Sequence, residues 1–212
     1  MFKPDSPIPL TSLARSGTGA GTPIEQLTTA MRSELGGAQT VWEALNSICV
    51  LSALVLPGLS CCSVTAVGPR GLRTVAASGY LARVLDVFQY RWEEGPAQDA
   101  LDGETVVSRR VARERRWPWW ARQAREVDID AVAAIPIKCG DRVIGTLNLY
   151  GGLAGLPDLT LAAGAVLGEV VGVLLAPAVP AGPGEPAVIF PPEVDAALAV
   201  AGSLGEDLPE AA

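Results

Sequence analysis

The 212-residue chain contains no histidine. That single absence excludes serine–histidine and cysteine–histidine catalysis, imidazole metal ligation and histidine-based pH switching. Lysine is nearly missing too: of 16 basic residues only Lys3 and Lys138 are lysine, and the rest are arginine. No glycine-rich loop carries a lysine that could cradle a phosphate. The 4 cysteines lack CxxC or Cys/His spacing, which fits reduced thiols in a cytoplasm better than a disulfide scaffold. MFKPDSPIPL at the start has neither an apolar run nor a small-residue cleavage site, so no secretory signal is read and a cytoplasmic location is expected. A net charge of -7 argues against nucleic acid as a general partner. Leu159–Pro180 comes closest to a membrane span. Glu169 at its centre, the lack of basic flanks, and Pro177 and Pro180 at its end argue against one, so no membrane is expected.

What is present reads as a globular chain, 49% hydrophobic and 18% charged. Residues 1–22, rich in Pro, Ser, Thr and Gly, are expected to be flexible. Residues 23–175 carry the periodic patterns of a folded domain, and residues 176–212 form a proline-rich, acidic tail with no basic residue. One weak helix is expected in that tail, from Glu193 to Ala201. Within the domain, three- and four-residue spacing predicts helix from Pro23 to Leu56, broken near Gly36-Gly37. The period then becomes two: Cys61–Val67 and Leu72–Ser78 read as a hairpin across GPRG. A helix over Gly79–Tyr90, a short strand over Glu104–Val111 and a helix opening at Trp117-Pro118 follow. Val127–Cys139 and Asp141–Gly151 read as a second hairpin, and Leu159–Leu175 as a last helix. Grouped antiparallel hairpins with intervening helices give an α+β fold: one central antiparallel sheet of about five strands with helices on both sides.

That order, together with QYRWEEGPAQDAL, RRWPWWA and AAIPIKCGDRVIGTLNLYG, resembles a GAF sensory domain over roughly Thr40 to Leu175. The resemblance is nearest to the GAF part of actinobacterial regulators that end in an ANTAR RNA-binding module. No such module is expected after Leu175, where the tail lacks basic residues and helical length. The resemblance implies a small molecule bound between the sheet and the capping helices and a sensor or regulatory role in signalling or transcriptional control; from the residues themselves no cofactor is expected. It implies a homodimer pairing first and last helices, with a regulatory protein as a further partner. It places ligand-binding positions at Gln89, Tyr90, Glu94, Gly95, Ala97, Gln98, Trp117 and Trp120. Relatives often carry cysteine where this chain has Ala97, which argues against thiol sensing there. The enzyme alternative is a free methionine sulfoxide reductase of GAF type, which needs converging cysteines. No cysteine lies between Ser63 and Lys138, and with no histidine a haem or bilin role is not expected. A third alternative is a degenerate interaction module whose pocket is filled by its own large residues, such as Phe88, Tyr90 and Trp92.

The residues themselves leave several roles open. Glu93 and Glu94 precede a helix start, where carboxylates stabilise free N–H groups, or where Gly95, Ala97 and Gln98 offer those groups to a ligand. An acid–base pair is the weakest reading, because adjacent residues rarely converge on one atom, and no catalytic or metal site is assigned. Half the arginines lie between Arg109 and Arg125, among Trp117, Trp119 and Trp120. Seven arginines against Glu114 give this segment +6. The plain reading is a helix anchored by tryptophan with arginines in water. The others are single-stranded nucleic acid, or the acidic tail lying on the patch. Finally, Gly164, Gly168 and Gly172 recur at steps of four on an apolar helix. With Leu45 on the first helix, they are expected to form a dimer interface.

Overall fold

The computed structural model describes residues 22, 25, 29, 30, 40–69 and 71–179. The expected flexible start and the tail helix at Glu193–Ala201 lie outside the described residues. So does most of the first predicted helix, although Glu25, Thr29 and Ala30 are helical.

The sheet is antiparallel and has five strands: β1 (Leu59–Gly68), β2 (Gly71–Ala77), β3 (Val106–Ser108), β4 (Ala131–Cys139) and β5 (Arg142–Gly151). Their spatial order is β2-β1-β5-β4-β3, so the two hairpins join through β1 and β5 at the centre. Helices α1 (Val41–Val55) and α5 (Asp158–Leu175) cover one face. On the other face lie α2 (Tyr80–Trp92), the single turn α3 (Pro96–Asp99) and α4 (Pro118–Glu126). The expected α+β architecture is therefore the observed one.

Strand alternation sorts side chains between these faces. Cys62, Val64 and Ala66 of β1, Ile135 and Ile137 of β4, and Leu147 and Leu149 of β5 pack toward α1 and α5. Cys61, Val132 and Tyr150 point the other way, against Leu85 of α2 and Trp120 of α4. Local chemistry sets the ends of the helices. Thr40 caps α1 by accepting the Glu43 amide at 3.1 Å.

Two predicted strands are shorter than expected. Val127–Asp130, read as strand from its alternation, instead closes α4. Asp128 is left-handed (φ 59), the Ile129 amide donates to the Ala124 carbonyl at 2.9 Å, and the Asp128 amide to Arg125 at 3.2 Å. This pattern satisfies the last carbonyls of the helix. The strand expected over Glu104–Val111 is confined to β3, an edge strand that pairs only through Val106, Val107 and Ser108.

The glycine stripe of α5 also departs from expectation. A Cβ at Gly164 would lie 2.6 Å from Ile135 and Leu149 side chains, one at Gly168 3.1 Å from Ile135, and one at Gly172 2.8 Å from the Lys138 carbonyl. The stripe thus faces the sheet of the same chain, where it lets the helix backbone sit close to β4. Leu45 is fully buried in that core as well. None of these four residues lies on an outer helix face. The outer face of α5 carries Val166 and Val173, 62% and 75% exposed. By length and apolarity, α5 with the turn after it is one helix among the described residues that could cross a membrane, yet its glycine edge is buried on the sheet.

Because the Gly172 contact is with backbone, Gly172→Leu must lift the helix from the sheet. Urea unfolding followed by circular dichroism should show a loss of about 1–3 kcal/mol. Ala165→Ser on the exposed side should stay within about 0.5 kcal/mol.

Candidate functional site

On α2, Asp86, Gln89 and Tyr90 fall at i, i+3 and i+4 and so share one helix face. That face lies on the sheet opposite Ser63 and Thr65 of β1, Thr74 of β2, and Thr146, Asn148 and Tyr150 of β5. Register aligns these polar residues: Ser63 pairs with Asn148, Thr65 with Thr146, and Thr65 with Thr74 on the other side. The result is a layer of polar side chains enclosed between α2 and the three adjacent strands.

Asp86 is its hub and is wholly buried. One carboxylate oxygen accepts from the Ser63 hydroxyl at 2.9 Å, from the Asn148 amide at 3.2 Å, and from the Tyr150 hydroxyl. The other accepts from the Thr74 hydroxyl at 2.7 Å. The Tyr90 hydroxyl lies 2.9 Å from both Thr65 and Thr74 hydroxyls. Asn148 also donates to Thr65 at 3.0 Å and accepts from Thr146 at 3.0 Å. Among the described residues no arginine or lysine pairs with the buried carboxyl, and the donors it meets there are neutral. Burial therefore outweighs the hydrogen bonds and raises its pKa from 3.8 to about 6. Burial, with the nearby Asp86 charge, holds the Tyr90 and Tyr150 hydroxyls well above their ordinary range, so both stay protonated donors.

A second branch closes the rim. Gln89 donates to the Tyr150 hydroxyl at 2.9 Å, and its carbonyl oxygen accepts the Ala97 amide at 2.7 Å. Gly95 (φ 140) lies so near Gln89 that a Cβ would come within 2.5 Å of it. Gln98 donates to the Gln89 carbonyl at 3.4 Å. Glu94 accepts the Trp120 amide at 2.8 Å and so caps α4 rather than the turn that follows it in sequence. Trp120 and Trp117 are buried and meet edge to face at 5.9 Å. Their indole N–H groups donate to the Leu85 carbonyl at 3.1 Å and the Asp99 carboxylate at 2.9 Å.

All eight positions singled out for ligand binding thus gather around the end of α2, but the donors and acceptors named here are spent on one another. The Ala97 amide, expected to face a ligand, is taken by Gln89. Among the expected filling residues only Tyr90 reaches the cluster. Phe88 and Trp92 stack on each other at 5.0 Å, half-buried, and Phe88 packs on the apolar side of the same layer. The space is filled instead by Tyr150, Trp117 and Trp120. Asp86, Ser63, Thr74, Asn148 and Tyr150 were not anticipated. Part of their signal was present as alternating polar residues in SVT and TLNLY, opposite a helix face that carries Asp86, Gln89 and Tyr90.

The cysteines divide as the strand period implies. Cys62 lies on the α1 side, its thiol donating to the Cys49 carbonyl at 3.2 Å. Cys61 is buried on the α2 side, where burial first, and Asp86 second, push its thiol up to about 12. Cys139 is half-buried at the β4–β5 turn. Among the described residues no cluster of acidic or cysteine side chains could hold a metal ion.

Residues 38–176 match the family model described as a GAF domain. The fold is similar to the GAF domain of Acinetobacter phosphoenolpyruvate-protein phosphotransferase (12% identity, 76% of this chain and 96% of that one, TM-score 0.58). It is likewise similar to the GAF domain of the corresponding protein from Coxiella burnetii (17% identity, 73% and 95%, TM-score 0.58). A further similar structure is the reduced fRMsr of Staphylococcus aureus (14% identity, 75% and 99%, TM-score 0.56). No curated protein matches the chain by sequence.

The raised Asp86 pKa has a definite sign. Between 3.8 and about 6 the folded state binds the proton that the unfolded state has released. Stability therefore falls as pH rises through that window, by roughly 3 kcal/mol once both states are ionised. Asp86→Asn keeps an acceptor for Ser63, Asn148 and Tyr150 and removes the charge. Urea unfolding at pH 4 and pH 7 should show the wild type losing most of this increment relative to Asp86→Asn. Asp86→Leu, which removes an acceptor shared by four donors, should be destabilised by about 3 kcal/mol or more at both pH values.

Proposed function

This chain belongs to the GAF domain family, and from that premise we propose that it is a cytoplasmic regulatory module, in signalling or transcriptional control, that acts by contact with a protein partner. The observation that carries this reading is the closed polar cluster. The face where the family resemblance places a small molecule is packed by Tyr150, Trp117, Trp120 and the Asp86 network. Opening it would expose the acceptors of a buried carboxylate. Among the described residues, only the Ser52 hydroxyl, on the opposite side of the sheet, is buried without a hydrogen-bond partner. A protein whose pocket is occupied by itself is suited to interaction through its surface.

The reductase reading has less support. One solved structure with the same fold is a free methionine-R-sulfoxide reductase from Neisseria meningitidis in complex with its substrate (16% identity, TM-score 0.56). Such chemistry needs a reactive thiolate with a second thiol in reach. Here Cys61 alone lies on the α2 side, and its thiolate is strongly disfavoured.

We retain a homodimer as part of the proposal, with its contact moved from the glycine stripe to the outer surface of α5. Val166 and Val173 there, with Leu54 of α1 at 56% exposure, leave an apolar area on the face that pairs in the dimers implied by the resemblance.

Native mass spectrometry of the protein purified from its host reads both parts of the proposal. The expected spectrum shows twice the subunit mass with no retained small molecule. A retained compound released on unfolding would contradict the filled pocket, and a monomer at micromolar concentration would contradict the dimer. Thiol-dependent reduction of free methionine sulfoxide, lost in Cys61→Ser, would replace the regulatory reading with the enzymatic one.

A further inference from the structure

The arginine-rich stretch is not absorbed by the cluster beneath α2. Its tryptophans divide: Trp117 and Trp120 are buried, whereas Trp119 is 54% exposed. Three of its arginines are engaged. Arg109 meets Asp158 at 2.6 Å, Arg116 meets Glu114 at 2.7 Å while its guanidinium lies 4.1 Å from the Trp117 ring centre, and Arg122 meets Glu126 at 3.5 Å. The remaining four, Arg110, Arg113, Arg115 and Arg125, are exposed and meet no carboxylate among the described residues. Glu114, the one acid inside the stretch, is held by Arg116, whose hydrogen bond lowers its pKa to about 2. It is not available to neutralise the others.

We propose that this face is the docking surface for the chain's own acidic segment, Glu185–Glu210. The segment carries Glu185, Glu193, Asp195, Glu206, Asp207 and Glu210 and no basic residue. Without the tail charge of -6 the rest of the chain is nearly neutral, and the four exposed arginines that meet no carboxylate among the described residues leave this stretch a local excess of positive charge. Phe190, among Val188, Ile189 and two prolines, supplies apolar groups suited to the exposed Trp119.

Geometry permits the contact. The Arg109–Asp158 pair fixes one end of the arginine face beside the first residue of α5. The described chain ends at Val179, just past the other end of that helix. The 18 residues of α5 span about 27 Å. Extended chain from Val179 to Glu193 reaches about 45 Å, and Glu206 lies further on still. Docking would cover the surface that an external acidic ligand would need, so the segment acts as a built-in competitor for it.

The test uses nuclear magnetic resonance of the full chain. At low salt, resonances of residues 185–210 should differ from those at about 500 mM salt, where exposed charge pairs are screened. They should take the high-salt positions at low salt in two variants. One is Arg110→Gln, Arg113→Gln, Arg115→Gln, Arg125→Gln; the other is Glu193→Gln, Asp195→Asn, Glu206→Gln, Asp207→Asn. Both change only charges, and the arginine set lies on exposed positions, so folding is retained and the two report on each other. Segment resonances that are the same in wild type and arginine variant would overturn the proposal. So would tight binding of a single-stranded oligonucleotide by the wild type that leaves those resonances unmoved, which would assign the face to nucleic acid.

Discussion

A buried carboxylate held by neutral donors organises one side of this molecule. Asp86 accepts from Ser63 and Thr74 on two adjacent strands, and from Asn148 and Tyr150 on a third. A charged group taken out of water is costly unless its hydrogen-bonding capacity is met. Every strand that supplies a donor must therefore keep its register with its neighbour and with α2. A slip of β1 by one residue against β5 would turn Ser63 to the other face of the sheet and leave Asn148 without its neighbour. The sheet thus carries its specificity on the α2 side through hydrogen bonds and on the α1 side through packing. There the glycine edge of α5 admits close contact with β4.

The same cluster bears on function. Tyr150 links Asp86 to Gln89, and Gln89 links the sheet to the Ala97 amide at the start of α3. Glu94 then ties the connection after α2 to the first turn of α4. The segments that would have to part around a ligand are thus joined to one another and to the sheet by a chain of buried hydrogen bonds. Local opening at the rim would break the bonds of Gln89 to Tyr150 and to the Ala97 amide, so this face is expected to open rarely.

Much of the architecture is legible in the sequence because strand alternation and helical periodicity are local signals. The hairpins, the helix opening at Trp117-Pro118 and the long last helix follow directly. Legibility fails where a distant partner decides. VDID alternates like a strand, yet Asp128 and Ile129 terminate α4 through its carbonyls. Glu94 reads as belonging to its own turn, yet serves an amide 26 positions on. The glycine stripe signals a close backbone approach but not to what, and its partner is β4. Gathering of the EEGPAQ segment with the tryptophans could be anticipated. That their polar groups are consumed internally could not, because Gln89, Asp86 and Tyr150 meet only once the strands are in register.

The central claim, that the pocket face is closed by its own side chains, has a direct observable in the side-chain amide protons of Gln89 and Asn148. Both groups are buried and donate within the cluster. Hydrogen exchange followed by nuclear magnetic resonance should show these protons exchanging only through unfolding of the domain, as slowly as the core amides of β5. Exchange of the Gln89 and Asn148 amides within seconds, while β5 stays protected, would show a face that opens to solvent and would contradict the account.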